Sequence, residues 1–214
     1  KTAYEIGVRL VGSEMCIRDR SGTSPTMVKA LQDIVSSATK YVELSTGDIV
    51  VDIGANDGTL LSQYNVQGIT KIGFEPSNLW KDGIREDTKI INNYFNAVQF
   101  KEIFSEKKAK IITSIAMFYD LVDPNSFVSD IKKCLHEEGL WIIQMNYLGL
   151  MFNNLGYDNI LHEHLEYHSL LSLKYLLDRH DFEISDVELN DVNAGSYRVF
   201  ITHKNTSLQL SKDG

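Results

Sequence analysis

Two stretches of the chain gather residues of the kinds that do chemistry. The first is VVDIGANDGTLL, residues 50–61, where Asp52, Gly54, Asn56, Asp57 and Gly58 follow or interrupt a β-branched apolar run. A buried strand that runs into a glycine-rich turn and then a helix lets a ligand approach the backbone at the carboxyl edge of a sheet. Gly54 carries no Cβ to obstruct such a ligand, and Gly58 permits close packing where the helix starts. Asn56 stands where the dinucleotide fingerprint has its middle glycine, and Asp52 and Asp57 would repel a pyrophosphate. An acidic turn of this kind suits a ligand with a cationic part and sugar hydroxyls. Glu75, in GFEP, ends the next apolar run 17 residues after Gly58. A carboxylate there can accept both hydroxyls of a ribose, although alone it would be an ordinary strand-end charge.

The second stretch is YDNILHEHLEY, residues 157–167, followed directly by His168. Imidazole titrates near neutrality and is the usual proton acceptor in catalysis at pH 7, which makes His162 and His164 candidates for a general base. Two other readings stand beside this one. His162, His164 and His168 have the look of metal ligands, and an HEH run can also serve to cap a helix. HEHLE is not the HExxH zinc pattern, because Glu166 occupies the place of its second histidine, and no fourth ligand is evident. No metal is therefore expected.

These residues need a frame, and the apolar pattern supplies an alternating one. Ser24 caps a helix that starts at Pro25 and carries Met27, Leu31, Ile34 and Val35 at helical spacing. The β-branched run ending at Gly54 reads as a buried parallel strand, and a helix begins near Asp57 with Leu60, Leu61 and Tyr64. Residues 69–75, 88–92, 109–116 and 139–146 read as further strands, with a Pro124-initiated helix before the last of them. Residues 147–159 are irregular and rich in Asn, Gly and aromatics, long enough to be functional. An amphipathic helix over 169–181 leads to two alternating strands, 182–190 and 196–204. Five strand–helix units and a closing hairpin predict an α/β fold, a Rossmann-like doubly wound sheet of seven strands with an antiparallel end.

Composition narrows the classes. The 214 residues carry 29 acidic against 21 basic side chains, a net charge of −8, which argues against a nucleic-acid partner. No apolar run is long enough to cross a bilayer, so no membrane partner is expected. Cys16 and Cys134 alone build neither a disulfide framework nor a CxxC zinc site. Residues 1–20, KTAYEIGVRLVGSEMCIRDR, resemble the translation of an indexed sequencing adapter and are set apart as non-native. The native sequence is then expected to be a fragment that starts at Ser21, of metagenomic origin.

The acidic glycine turn and the carboxylate at the end of the second strand resemble motifs of class I S-adenosylmethionine-dependent methyltransferases. By that resemblance Asp52, Gly54, Asn56 and Gly58 line the methionine moiety and Glu75 holds the ribose. Tyr94 and Phe95 lie near the adenine, and residues 114–117, Ala116 among them, form the floor of the site. RSGTSPTM (20–27), DIGANDGTLL, SIAMFYDLVDP (114–124), YDNILHEHLEY and AGSYRV (194–199) further resemble the sugar C-methyltransferases, which act on nucleotide-linked keto-deoxysugars. The likeness runs from about Arg20 to Lys204. It implies a methyltransferase core over 21–205, with 206–214 as the start of a further C-terminal domain. Zinc would belong only to an N-terminal domain that such relatives carry. The resemblance also implies a small nucleotide-sugar substrate and a cytoplasmic setting.

Within that family His164 is the base that removes a proton beside a ketone, with Glu163 orienting it or contacting the sugar. His162 lies alongside, and Tyr157 and Tyr167 are placed to donate to the developing enolate oxygen. Leu161 departs from the pattern, since these relatives often have tyrosine there. Three alternatives stay open at this point: an O- or N-methyltransferase, a cofactor-binding module without catalysis, and a dehydrogenase. Asn56 and the acidic turn disfavour the last.

Overall fold

The computed structural model describes residues 20–82, 87–156, 160, 162, 164–192 and 195–208. The adapter-like residues 1–19 lie outside the described residues, as do Tyr157, Leu161 and Glu163.

Among the described residues, seven strands build one sheet: β1 Ile49–Ile53, β2 Thr70–Phe74, β3 Thr88–Ile91, β4 Ala109–Ile115, β5 Leu135–Asn146, β6 Phe182–Asn190 and β7 Ser196–His203. Their order is β3-β2-β1-β4-β5-β7-β6. β1 to β5 run parallel, and β7 inserts antiparallel between β5 and β6. The helices are α1 Pro25–Tyr41, α2 Thr59–Ser62, α3 Ala97–Phe104, α4 Pro124–Cys134, α5 Leu148–Asn153 and α6 Leu170–Asp178. This is the doubly wound sheet with an antiparallel end that the apolar pattern predicts.

The strands read as apolar runs because both sheet faces are covered. Alternate residues serve opposite layers. Val51, Ile53, Phe74, Ile112 and Ile143 pack with α3, α4 and α6, while Val50, Ile111, Leu140 and Ile142 pack with α1 and α2. The chain leaves β1 toward the α1–α2 face and leaves β4 toward the α4 face. Strand order therefore reverses between β1 and β4, and a crevice opens at their carboxyl ends.

Local signals hold where expected. The Ser24 hydroxyl accepts the Met27 N–H at 3.3 Å, with Pro25 at the first helical position. Asp123 does the same for Ser126 at 3.0 Å ahead of Pro124. On the α1 face a buried polar seam pins that helix to the closing hairpin. Arg198 donates to Asp33 at 2.9 Å, to Glu188 and Ser37 at 2.8 Å each, and to Gln144 at 2.9 Å.

Several elements differ from the sequence reading. The helix expected from Asp57 starts only after Gly58, which sits in the left-handed region (φ 77°) at its N-cap, and it is a single turn that stops at Ser62. Tyr64 falls beyond that helix yet is fully buried. Residues 97–104 form α3, capped by Asn96 on the Gln99 N–H at 2.9 Å. β5 begins at Leu135 with no loop after α4, since Leu135 pairs directly with Ala109. The segment read as irregular contains α5, which buries Met151.

Gly73 on β2 is where the sheet makes room for the glycine turn. A Cβ there would collide with Ile90 Cδ1 and stand 2.6 Å from Ala55 Cβ. Ala55 is too short to swing aside, so Gly73→Ala should destabilise the fold by about 1–3 kcal/mol. A urea unfolding midpoint equal to that of the native chain would show that the turn yields at no cost.

Candidate functional site

The turn after β1 is shaped by left-handed backbone at Gly54 (φ 76°), Asn56 (φ 52°) and Gly58 (φ 77°). Gly54 and Ala55 both donate N–H to the Phe74 carbonyl, at 2.9 and 3.2 Å, which keeps the turn against β2. Asn56 has no glycine's freedom at its φ, and its N–H is held by Glu75 Oε2 at 2.8 Å. The other carboxylate oxygen of Glu75 accepts the Ser77 N–H at 2.8 Å. Each oxygen of this 7 % exposed carboxylate keeps further acceptor capacity. The Asn92 side chain then ties the next loop in, donating to the carbonyls of Glu75, Pro76 and Ser77 at 2.9, 3.1 and 2.7 Å.

The loop after β4 meets this turn from the other side of the crevice. Ala116 is left-handed (φ 53°) and exposed, and its N–H donates to the Gln144 carbonyl at 2.8 Å. The Met117 side chain lies against Gly54, 3.3 Å from where a Cβ would stand. A side chain at Gly54 would thus press on the β4 loop as well as adopt a strained φ.

Asp52 lies beneath the turn, on the α1–α2 side of the sheet. It is buried, and its Oδ1 accepts the Thr113 hydroxyl at 2.6 Å. Burial pushes its carboxyl up from 3.8 to about 7; the Thr113 bond opposes the rise and the nearby Glu75 charge adds to it. Tyr64 shares this interior, its phenol raised by burial and by Asp52. Asp57 does a different job. It accepts the Gly22 N–H at 2.8 Å while also bonding Thr59, and Asn56 Oδ1 accepts the Ser21 N–H at 3.2 Å. Residues 21–23 therefore form a short 3-10 turn strapped across the glycine loop.

The histidine segment crosses the β4 side of the crevice. The Tyr119 carbonyl accepts the N–H groups of Leu165 and Glu166 at 3.0 and 3.1 Å. The His164 ring lies 4.0 Å, centroid to centroid, from the Tyr119 ring, and 6.1 Å from that of Tyr167. His168 is buried against Phe118 at 5.3 Å. Its Nε2 stands 3.2 Å from Glu166 Oε2, within reach of charge attraction but without hydrogen-bond alignment. Burial lowers the His168 pKa below its usual value, with Glu166 pulling the other way. His162 is exposed. Among the described residues no three potential ligands gather as a metal site would require.

Residues 26–187 match the model of a family described as a methyltransferase domain. The chain belongs to that family. Among curated proteins the methyltransferase domain is similar to the C-methyltransferase NovU of Streptomyces niveus, 28% identical over 179 residues. That alignment covers 82% of this chain and 42% of NovU, so the chain spans less than half the length of this relative. Solved structures of the same fold include the complex of a Haloferax volcanii methyltransferase with the Trm112 methyltransferase activator, at TM-score 0.61 and 14% identity. The match covers 85% of this chain and 95% of that one. A Geobacter sulfurreducens S-adenosylmethionine-dependent methyltransferase bound to S-adenosyl-L-homocysteine matches at TM-score 0.57 and 13% identity, over 87% and 94% of the two chains.

The methyltransferase domain brings Asp52, Gly54, Asn56, Gly58, Glu75 and Ala116 to one crevice, and His164 to its β4 wall. It separates the aromatic pair. Tyr94 is exposed, while the half-buried Phe95 ring packs on Phe74 at 5.1 Å and Phe127 at 5.8 Å. An aromatic two residues before an α3 that begins at Ala97 faces the same core as Phe100, a periodicity the sequence does contain. Tyr119 entered the sequence reading only inside SIAMFYDLVDP, with no role of its own, and Asn92 and Thr113 escaped it as site residues. Their partners lie 15 or more residues away, and no short motif marks them.

The Asp52 shift has a measurable sign. Between pH 4 and 7 the folded chain holds a proton that the unfolded chain has released, so ionising Asp52 costs stability as pH rises through that window. Asn keeps the acceptor for Thr113 and removes the charge. Asp52→Asn should be more stable than the native chain at pH 8, by roughly 2–4 kcal/mol, and no more stable near pH 4. Urea midpoints at the two pH values test this, and a difference that does not change with pH would contradict it.

Proposed function

We propose that residues 21–205 are the core of an S-adenosylmethionine-dependent C-methyltransferase that methylates a carbon beside a ketone on a nucleotide-linked deoxysugar. The observation that carries this reading is the loop after β4. Met117 packs on Gly54 at the glycine turn, and Tyr119, two residues on, holds His164. A cofactor turn and a proton acceptor thus share one short connection. The similarity to NovU, itself a C-methyltransferase, supports a carbon acceptor.

The residues present suit the cofactor. Glu75 has an acceptor site left on each oxygen for two ribose hydroxyls, and Gly54 puts no side chain of its own on the turn. Asp52, Gly54, Asn56 and Gly58 would hold the methionine end and Tyr94 would border the adenine. When bound, S-adenosylmethionine supplies an electrophilic methyl group on a cationic sulfur. The remaining task falls to the chain. A carbon next to a ketone is not nucleophilic until it loses a proton, and His164 accepts that proton. By the family resemblance Glu163 would orient the base or contact the sugar, with His162 and Tyr157 as further candidates for catalysis.

Calorimetric titration with S-adenosylmethionine and with S-adenosylhomocysteine tests the cofactor. The native chain should bind, and Glu75→Ala should lose about 10- to 100-fold or more in affinity, as expected for removing charge-assisted hydrogen bonds. A folded native chain that binds neither compound overturns the reading. His164→Ala should retain cofactor affinity and lose about 10²- to 10⁴-fold in turnover of a nucleotide-linked keto-sugar. Turnover that survives this substitution would point instead to an oxygen or nitrogen acceptor, which needs no carbon-acid activation.

A further inference from the structure

We propose that Tyr119 is the positioning residue for His164, holding the imidazole at the crevice wall through its backbone carbonyl and its ring together. The inference rests on the reading of His164 as the proton acceptor and names what keeps it in place.

Residues 164–169 belong to no helix or strand, so something else must fix the path of the chain there. The Tyr119 carbonyl takes the two N–H groups that directly follow His164, using both of its lone pairs on one short segment. The ring of the same residue lies 4.0 Å from the imidazole at an interplanar angle of 44°. Backbone and side chain of Tyr119 therefore fix, respectively, where His164 sits and how its ring is turned.

Tyr119 is itself held. It is the middle residue of the 3-10 turn Phe118–Asp120, closed by the Asp120 N–H on the Met117 carbonyl at 3.1 Å. Phe118 is buried in the core beside Trp141 and Phe127, at 5.9 Å from each ring, and His168 packs on its other side. The histidine segment is thus attached to this turn twice, by His164 on Tyr119 and by His168 on Phe118. Upstream, the turn continues from Ala116 and Met117, which border the glycine turn. Movement of His164 relative to the cofactor side of the crevice is restrained through four consecutive residues.

The contact also has an electrostatic sense. An aromatic ring beside an imidazole favours its protonated form, the form produced when the histidine takes a proton. The rings that pack on His164 are those of Tyr119 and Tyr167, and Glu166 lies two residues further along the same segment.

The test reads His164 directly. In proton–carbon spectra of the native chain the His164 ring signals should show the ring-current displacement that a stacked aromatic produces. The Leu165 and Glu166 amides should exchange slowly. Tyr119→Leu should remove the displacement and lower the midpoint of the His164 pH titration by about 0.3–0.7 units. Tyr119→Phe, which keeps the ring and the carbonyl, should restore both. Ring signals and titration unchanged in a folded Tyr119→Leu chain overturn the proposal. So do fast-exchanging Leu165 and Glu166 amides in the native chain, a measurement that needs no variant. With a keto-sugar acceptor, Tyr119→Leu should reduce kcat and leave cofactor affinity intact. If Tyr119 governs the His164 signals while His164→Ala leaves turnover unchanged, the positioning stands and the base assignment falls.

Discussion

One buried carboxylate organises the ligand-facing edge of the sheet. Glu75 takes an N–H from Asn56 on the turn after β1 and another from Ser77 on its own loop. Asn92 closes the loop after β3 on the carbonyls of the same stretch. Removing a carboxylate from water is costly unless charge-assisted bonds replace the lost solvation, and these N–H groups supply them. The same bonds fix the left-handed Asn56 in a conformation that glycine would otherwise serve. Three loops are therefore set before any ligand arrives, and the pocket's acidity is built into its scaffold.

The opposite wall is organised by apolar packing. Phe118 carries the loop after β4 into an aromatic group with Trp141 and Phe127, and the histidine segment rests on that anchor. One side of the crevice is held by hydrogen bonds to a charge and the other by buried rings. The 21–23 strap adds a third boundary, bonded through Asn56 and Asp57 to the same glycine turn. Asp57, which reads as part of an acidic ligand surface, spends its acceptor sites on the chain itself.

Much of the frame was legible because parallel strands covered on both faces must be apolar throughout. β1, with all five residues buried, is the clearest case. The cap at Ser24 was legible for a local reason, its bond spanning three residues. The glycine turn could be read because its left-handed backbone at Gly54 and Gly58 restricts residue type. What stayed hidden depends on distance along the chain. Thr113 bonds Asp52 across 61 residues, and Arg198 reaches Asp33 across 165. Phe95 packs on Phe74 and Phe127 while Tyr94 beside it is exposed, a division that the sequence does not show until the α3 register is known. The short α2 was overread because Leu60, Leu61 and Tyr64 suggest helical spacing, while the helix stops at Ser62 and Tyr64 is buried from beyond it.

The placement of β7 bears on how the chain comes off the ribosome. β6 is made before β7, yet among the described residues its ladder runs to β7, and β7 also fills the side of β5 left open by β4. Until residues 196–203 emerge, β5 presents a long apolar strand with an unpaired edge, and the polar groups of α1 lack Arg198. Such edges invite pairing with other chains. α1 and β7 are joined through one guanidinium, so a nascent chain that pauses before Arg198 has made six of the seven strands and is still exposed to aggregation. Protection during synthesis would matter most in that interval, before β7 covers the open edge of β5.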